Sequence, residues 1–272
     1  MSAGNSVATT FEKAASEGRG TLVGYLPAGF PTREGSIAAV KAMAEAGCDV
    51  IEVGLPYTDP MMDGPTIQDA VHQALVGGAR VADVFSTVEA IAATGVPALV
   101  MTYWNPVDRY GVDAFARDLA SAGGSGLITP DLTPEEGGTW LAAADAHDLD
   151  RVFLVALSST DERLAKITEV CRGFVYAASV MGVTGARSAV DTGAARLVER
   201  TRKAMAPGSR LPVGLGLGVS NGVQAAEVAA FADGVIVGSA FVRRLLDASS
   251  PEEGLKSLRE LTAELAAGVR RG

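Results

Sequence analysis

Short apolar runs that alternate with longer amphipathic segments constrain the fold of this chain more than any other feature. Eight runs have the length and the β-branched composition of buried parallel strands. They centre on residues 22–26, 50–53, 98–101, 126–129, 152–155, 174–177, 213–216 and 234–237. Because parallel strands need crossover connections between them, this alternation predicts an α/β fold.

The segments between the runs carry apolar residues at helical spacing. One such set comprises Val81, Val84, Phe85, Val88 and Ile91. A further helix is predicted over residues 7–16, ahead of the first strand. The length of 272 residues is close to the ~250 typical of a closed barrel, so we expect a single (β/α)8 TIM-barrel domain over residues 1–272 with an extra N-terminal helix. An open, doubly wound sheet of eight strands is the alternative.

Charge and composition narrow the classes of partner and compartment. The formal net charge is −9 and the acidic residues are scattered, which disfavours nucleic acid or an anionic membrane as a partner. No apolar run approaches the ~18 residues of a membrane span, and the first residues lack the pattern of a signal peptide, so we expect a cytoplasmic protein. Cys48 and Cys171 lie far apart in apolar contexts, which favours buried, unpaired thiols.

Glycine-rich turns follow the last three predicted strands. They are Gly182-Val183-Thr184-Gly185, Gly214-Leu215-Gly216-Leu217-Gly218 and Gly238-Ser239-Ala240, of which the last opens a helix. Glycine lets backbone N–H groups approach a ligand closely, and a helix N-terminus offers unpaired N–H donors to an anion. Any one of these turns is typical of an ordinary tight turn, but three at consecutive strand ends predict a phosphate site.

Two carboxylates mark the end of the second strand and the loop after it. Glu52 lies within an apolar strand, where an inward-facing carboxylate is costly unless it is used or paired, and where burial would raise its pKa. An outward-facing or salt-bridged glutamate is the alternative. Asp63 follows eleven residues later, so a folded loop could bring it over the barrel mouth. A turn or capping role before the helix that starts near Pro65 fits Asp63 equally well.

The loop after the second strand also carries a specific motif. It reads Ile51-Glu52-Val53-Gly54-Leu55-Pro56-Tyr57-Thr58-Asp59-Pro60-Met61-Met62-Asp63-Gly64-Pro65-Thr66-Ile67-Gln68. This stretch resembles the signature of the tryptophan synthase alpha subunit family, and the resemblance continues through the three glycine turns over nearly the whole chain. It implies cleavage of indole-3-glycerol phosphate to indole and D-glyceraldehyde 3-phosphate in L-tryptophan biosynthesis, with Glu52 and Asp63 at the catalytic positions.

The implied reaction is a retro-aldol cleavage, which requires protonation of carbon 3 of the indole ring. Glu52 would shuttle the protons at carbon 3 and at the glycerol hydroxyl, and Asp63 would stabilise the positive charge that develops at the ring nitrogen. Because the electron sink forms within the substrate, the resemblance implies no metal and no organic cofactor.

The resemblance also implies which residues bind the substrate. The indole pocket would include Tyr25, Tyr103, Ile128, Thr184 and Leu217, and the phosphate would contact Gly185, Gly218, Gly238 and Ser239. Tyr176 matches a tyrosine that supports the catalytic glutamate. For the pocket residues other than Tyr176, a plain role in the barrel core is the alternative.

Other positions bear on the loops of the implied site. Residues 182–190, with Gly185, Ala186 and Arg187, resemble a mobile lid. Val180 and Phe30 stand where relatives often carry arginine and aspartate, which leaves details of the lid and of one loop open. His72 and His147 match no catalytic position, and we expect them on the surface or on helix faces.

A partner is implied as well, namely a beta subunit that receives the indole within an α2β2 heterotetramer. Residues 57–62 and Asn105-Pro106 resemble the positions that face it. A stand-alone lyase that releases free indole and a catalytically idle barrel kept as an allosteric partner are the alternatives. The intact Glu52 and Asp63 argue against the idle barrel, whereas the sequence does not separate the other two.

Overall fold

Eight parallel strands close into a barrel in sequence order, in a computed structural model that describes residues 6–59, 61–179 and 192–270. The strands are β1 Thr21–Pro27, β2 Val50–Gly54, β3 Ala98–Met101, β4 Gly126–Thr129, β5 Asp150–Ala156, β6 Val175–Ala178, β7 Val213–Gly216 and β8 Gly234–Val237. Pairing of β8 with β1 closes the sheet. The predicted (β/α)8 TIM barrel is therefore confirmed, and the open sheet is excluded.

Helices connect the strands and pack around the barrel. They are α1 Val7–Ser16, α2 Arg33–Ala46, α3 Pro65–Val76, α4 Val81–Ala92, α5 Trp104–Tyr110, α6 Val112–Ser121, α7 Gly138–Ala146, α8 Asp161–Val170, α9 Thr192–Ala204, α10 Gly222–Ala229, α11 Ser239–Leu246 and α12 Pro251–Gly268. The extra N-terminal helix α1 has the predicted bounds, since the Ser6 side chain accepts a hydrogen bond from the Thr9 N–H and starts the helix there.

Four strands differ from their predicted bounds. β1 and β5 extend beyond the apolar runs at both ends, β2 continues by one residue to Gly54, and β6 begins and ends one residue later than predicted. The apolar run marks only the buried centre of a strand, whereas backbone pairing continues into flanking residues. Pro27 pairs with Gly54, and Asp150 pairs with Gly126, at the ends of their ladders.

Strand side chains alternate between the barrel interior and the layer beneath the helices. An interior cluster includes Val23, Val50, Leu99, Ile128, Val152, Phe174 and Ile236. Phe11 of α1 closes the N-terminal end of this cluster, with its ring centroid 5.4 Å from that of Phe174. Glu52 lies two residues beyond Val50, so the pleat of β2 directs it into the same interior but nearer the C-terminal end.

Several predictions concern residues away from that end. Cys48 and Cys171 are buried and free, as predicted. His72 is exposed on α3, and His147 follows the last residue of α7. Phe30, one of the departures from the family pattern, is fully buried in the core outside the barrel. Within the described part of the chain, no helix is both long enough and apolar enough to cross a membrane.

Candidate active site at the barrel mouth

A cavity of about 450 Å³ opens at the C-terminal ends of the strands, a size typical of small-ligand sites. The predicted site residues that line it are Tyr25, Glu52, Asp63, Tyr103, Tyr176, Leu217, Gly218, Gly238 and Ser239. Ile128 is fully buried in the interior cluster and does not belong to the described residues that line the cavity. Thr184, Gly185, Val180 and the predicted lid at residues 182–190 lie outside the described residues. The structure thus brings both predicted carboxylates and part of the predicted phosphate site into one cavity.

Glu52 occupies the floor of this cavity in an unusual state for a carboxylate. Its side chain is 0% exposed, and neither oxygen has a hydrogen-bond partner among the residues that the structure describes. Burial raises its pKa from 4.5 to about 8. At neutral pH the group is therefore mostly protonated and can donate a proton before it accepts one.

Two tyrosines flank Glu52 because glycines opposite them leave room. Tyr25 pairs with Glu52 across β1 and β2, and a methyl group at Gly54 would collide with the Tyr25 hydroxyl. A Cβ atom at Gly216 would lie 2.8 Å from the Tyr176 hydroxyl oxygen. Burial raises the pKa of both tyrosines, and the charges of Glu52 and Asp63 raise it further. The rings thus lie within electrostatic range of both carboxyl groups, although Tyr176 makes no hydrogen bond to Glu52.

Asp63 reaches the cavity from the loop that precedes α3. The residue that caps α3 is Gly64, and no side chain caps this helix, so the Asp63 carboxyl does not serve the capping role that the sequence left open. Burial raises its pKa, and a hydrogen bond with the Tyr103 phenol lowers it by less. The carboxyl is half-buried at the cavity rim beside this phenol, and no cation pairs with it among the residues that the structure describes.

The glycine turns after β7 and β8 lie on another side of the cavity. Gly218 has a φ of +75°, a left-handed conformation that favours glycine. Gly238 precedes α11, and no side chain caps this helix. The Phe241 and Val242 N–H groups donate to the Gly238 carbonyl, which leaves those of Ser239 and Ala240 for an anion. Ser239, the first residue of α11, lines the cavity beside them. The predicted turn after β6 falls outside the described residues.

Known proteins resemble this chain over nearly its whole length. A family model described as "Tryptophan synthase alpha chain" matches residues 11–270. The chain belongs to the tryptophan synthase alpha chain family. A tryptophan synthase alpha chain of Salinispora arenicola is 64% identical over 264 residues, which cover 97% of this chain and 97% of that one. The corresponding protein of Nocardia farcinica is 60% identical over 270 residues, with 99% and 98% covered.

Solved structures agree with this family membership. A chain of Mycobacterium tuberculosis tryptophan synthase superposes with a TM-score of 0.90 at 57% identity, over 98% of this chain and 99% of that one. Tryptophan synthase subunit alpha from Legionella pneumophila gives a TM-score of 0.86 at 30% identity, over 97% and 98% of the two chains. The barrel is thus retained among relatives of much lower sequence identity.

Sequence reasoning missed several residues that line the cavity of this tryptophan synthase alpha chain family member. Met101, Leu154 and Ile236 contribute to its walls, and each occupies a strand position whose side chain faces the barrel interior. The alternation of side chains along a strand could have predicted these positions once a closed barrel was assumed. Asp131, two residues beyond β4, was also missed, because its contacts are with backbone atoms of another loop.

Proposed function

We propose that this chain is the alpha subunit of a tryptophan synthase and that it cleaves indole-3-glycerol phosphate to indole and D-glyceraldehyde 3-phosphate. One observation carries the proposal: a fully buried, unpaired carboxyl group, Glu52, shares a cavity with a second carboxyl group, Asp63. Paired titratable groups in different environments are typical of acid–base catalysis. The reaction is that of a carbon–carbon lyase in L-tryptophan biosynthesis.

Glu52 would act as both acid and base. Its pKa of about 8 keeps it protonated at neutral pH, so it can deliver a proton to carbon 3 of the indole ring. The resulting carboxylate would then accept the proton of the glycerol hydroxyl on the adjoining carbon. As that hydroxyl becomes an aldehyde, the bond between the two carbons breaks and its electron pair restores the aromatic ring.

Asp63 would complement this step from the cavity rim. Protonation at carbon 3 places positive charge on the ring nitrogen, and a carboxylate that accepts a hydrogen bond from the ring N–H stabilises that charge. Tyr25, Tyr103 and Leu217 offer apolar surface to the ring, and Gly218, Gly238 and Ser239 would hold the phosphate. The charge is handled within the substrate and by these side chains, so the proposed reaction uses no metal or organic cofactor.

The phosphate assignment predicts a selective effect of Ser239→Asp. A like charge ~8 Å from the phosphate costs about 2 kcal/mol at an effective dielectric constant of ~20. We therefore expect the KM for indole-3-glycerol phosphate to rise by roughly 30-fold, with a smaller effect on kcat. Steady-state indole release measures both constants.

Ser86→Asp is the matched control for this prediction, because it adds the same charge at an exposed position on α4. A normal KM in Ser239→Asp, or an equal rise in both variants, would place the phosphate elsewhere. Gly218 is a poorer test position, since its positive φ strains any replacement irrespective of the ligand.

We also propose that a tryptophan synthase beta subunit docks on this face of the barrel, in an α2β2 heterotetramer. The Legionella pneumophila relative is described as a subunit, which supports a partner. Met61 and Met62 are 69% and 58% exposed, large values for apolar side chains on one loop. The Asn105 amide donates a 2.8 Å hydrogen bond to the Tyr57 hydroxyl, so the two implied interface segments lie side by side.

Docking there predicts activation of the lyase. The position of Asp63 depends on how well the loop before it is ordered. A displacement of about 1 Å can lower the rate roughly 100-fold. We expect the isolated chain to release indole slowly and a titration with purified beta subunit to raise the rate by up to roughly that factor. The assay needs a beta variant that does not consume indole.

The same titration tests the proposed function. Absence of indole release with or without the beta subunit would contradict the lyase assignment. A fast isolated chain with a flat titration would instead indicate a stand-alone lyase that releases free indole.

A further inference from the structure

We propose that Asp131 is a positioning residue for Asp63, and that it acts through the backbone of Trp104 and the side chain of Tyr103. The proposal rests on the proposed lyase function, because it assigns a role in that reaction to Asp63. It concerns the three loops that follow β2, β3 and β4, whose ends meet at one side of the barrel mouth.

Asp131 fixes the start of α5. Both of its carboxylate oxygens accept hydrogen bonds from the Trp104 N–H, at 2.9 and 3.1 Å. Tyr103 is the residue that precedes α5, and its own side chain does not cap the helix. Asp131 therefore supplies the missing cap from the next loop along the sequence, and a charged acceptor at a helix N-terminus is favourable there.

Tyr103 connects the start of α5 to the loop that carries Asp63. Its hydroxyl oxygen accepts a 2.8 Å hydrogen bond from the Met62 N–H, which holds the backbone immediately before Asp63. The phenol also lies close enough to the Asp63 carboxyl for each group to shift the pKa of the other. A phenol can accept a hydrogen bond and donate its proton at the same time, so the contact with Met62 leaves the phenol proton available to the Asp63 carboxyl. The position of Asp63 thus depends on where α5 begins.

A second contact holds the other end of the same loop. Asn105, in the first turn of α5, donates to the Tyr57 hydroxyl, and the rings of Tyr57 and Tyr103 lie 5.9 Å apart. The start of α5 therefore contacts the loop at Tyr57 and again at Met62 and Asp63. A shift of this helix end would displace both points together.

Asp131 acts through other residues rather than on the substrate. It does not belong to the described residues that line the cavity, and its carboxylate faces the backbone of Trp104. Burial raises the pKa of Tyr103, and the negative charges of Asp63 and Asp131 raise it further, so the phenol stays protonated and keeps its donor. Asp63 therefore makes the catalytic contact, and Asp131 determines where Asp63 lies.

The test compares Asp131→Ala, Asp131→Asn, Tyr103→Phe and the double variant Asp131→Ala/Tyr103→Phe, each as the full chain with indole-3-glycerol phosphate. We expect Asp131→Ala to lower kcat by roughly 10- to 100-fold, as a misplaced group does, and to leave KM within about twofold. Asp131→Asn keeps an acceptor for the Trp104 N–H and should recover most of kcat. In the Tyr103→Phe background, Asp131→Ala should cost less than about twofold, because the path to Asp63 is already broken.

A second measurement does not depend on activity. The Met62 amide should lose protection from hydrogen exchange in Asp131→Ala and in Tyr103→Phe, but not in Asp131→Asn. Ser6→Ala, which removes the cap of α1 at the opposite end of the barrel, should change neither kcat nor Met62 exchange.

The outcomes separate the two proposals. An equal loss of kcat from Asp131→Ala in both backgrounds, a loss confined to KM, or unchanged Met62 exchange would overturn the role of Asp131. An inactive parent chain, alone and with the beta subunit, would instead contradict the lyase function, while the exchange measurement would still report on the contact network.

Discussion

Glu52→Gln should lower kcat for indole release by roughly 10²- to 10⁴-fold, the usual contribution of a positioned proton donor and acceptor. Glutamine preserves the volume of the fully buried side chain but cannot give or take a proton at carbon 3 or at the glycerol hydroxyl. Substrate binding should persist, because the phosphate turns after β7 and β8 are unchanged. Steady-state rates, with isothermal titration of the substrate into the variant, measure the two effects separately.

The control for Glu52→Gln is a measurement of its stability, to show that the variant is folded. The pH dependence of the free energy of unfolding also tests the raised pKa of Glu52. The carboxyl stays protonated up to about pH 8 in the folded chain but ionises near its ordinary pKa of 4.5 when unfolded. The free energy of unfolding of the parent should therefore fall between these two pH values, by up to ~1.4 kcal/mol per pH unit from this group. Glutamine does not titrate.

Urea denaturation of both proteins at about pH 5 and about pH 8 checks this difference. The stability of Glu52→Gln relative to the parent should increase between the two pH values. Asp150, whose pKa burial raises to about 6, contributes equally to both proteins and cancels. Near-normal turnover in a folded Glu52→Gln protein would contradict the catalytic role.

The barrel was predictable because two local patterns agree with one global arrangement. The apolar runs locate the buried centre of each strand, and the amphipathic spacing of segments such as α4 locates the helices. The ends of β1 and β5 were not predictable, since Pro27 and Asp150 join their ladders through backbone pairing that no side-chain pattern records.

Predictability of the site depends on whether a residue lies on a strand or on a loop. For Glu52, the period of two along β2 fixes its direction once Val50 is known to face the interior. For Asp63 and Asp131 no period applies, and their positions depend on contacts between loops far apart in sequence. Ile128 shows a third limit, because parity gives its direction but not its depth within the barrel.

Asp63 is the residue for which the sequence left two roles open, and the roles differ in what they predict. A capping aspartate contributes to stability, typically about 1 kcal/mol, and asparagine replaces it well. A charge-stabilising aspartate contributes to the transition state, which asparagine cannot do because it is neutral. Since Gly64 precedes α3 and no side chain caps it, the geometry already disfavours the first role.

Asp63→Asn should therefore fold with nearly unchanged thermal stability and lose roughly 10²- to 10³-fold in kcat, the usual cost of removing one group that stabilises transition-state charge. Asparagine keeps an oxygen that can accept from the Tyr103 phenol, so the loss reports the missing charge rather than a displaced loop. Thermal melting and steady-state indole release on one sample measure both quantities.

Asp69→Asn is the matched control, since it removes the same charge from an exposed position on α3. A lower melting temperature with an unchanged kcat would return Asp63 to a structural role, and equal losses of kcat in both variants would indicate a general effect of net charge.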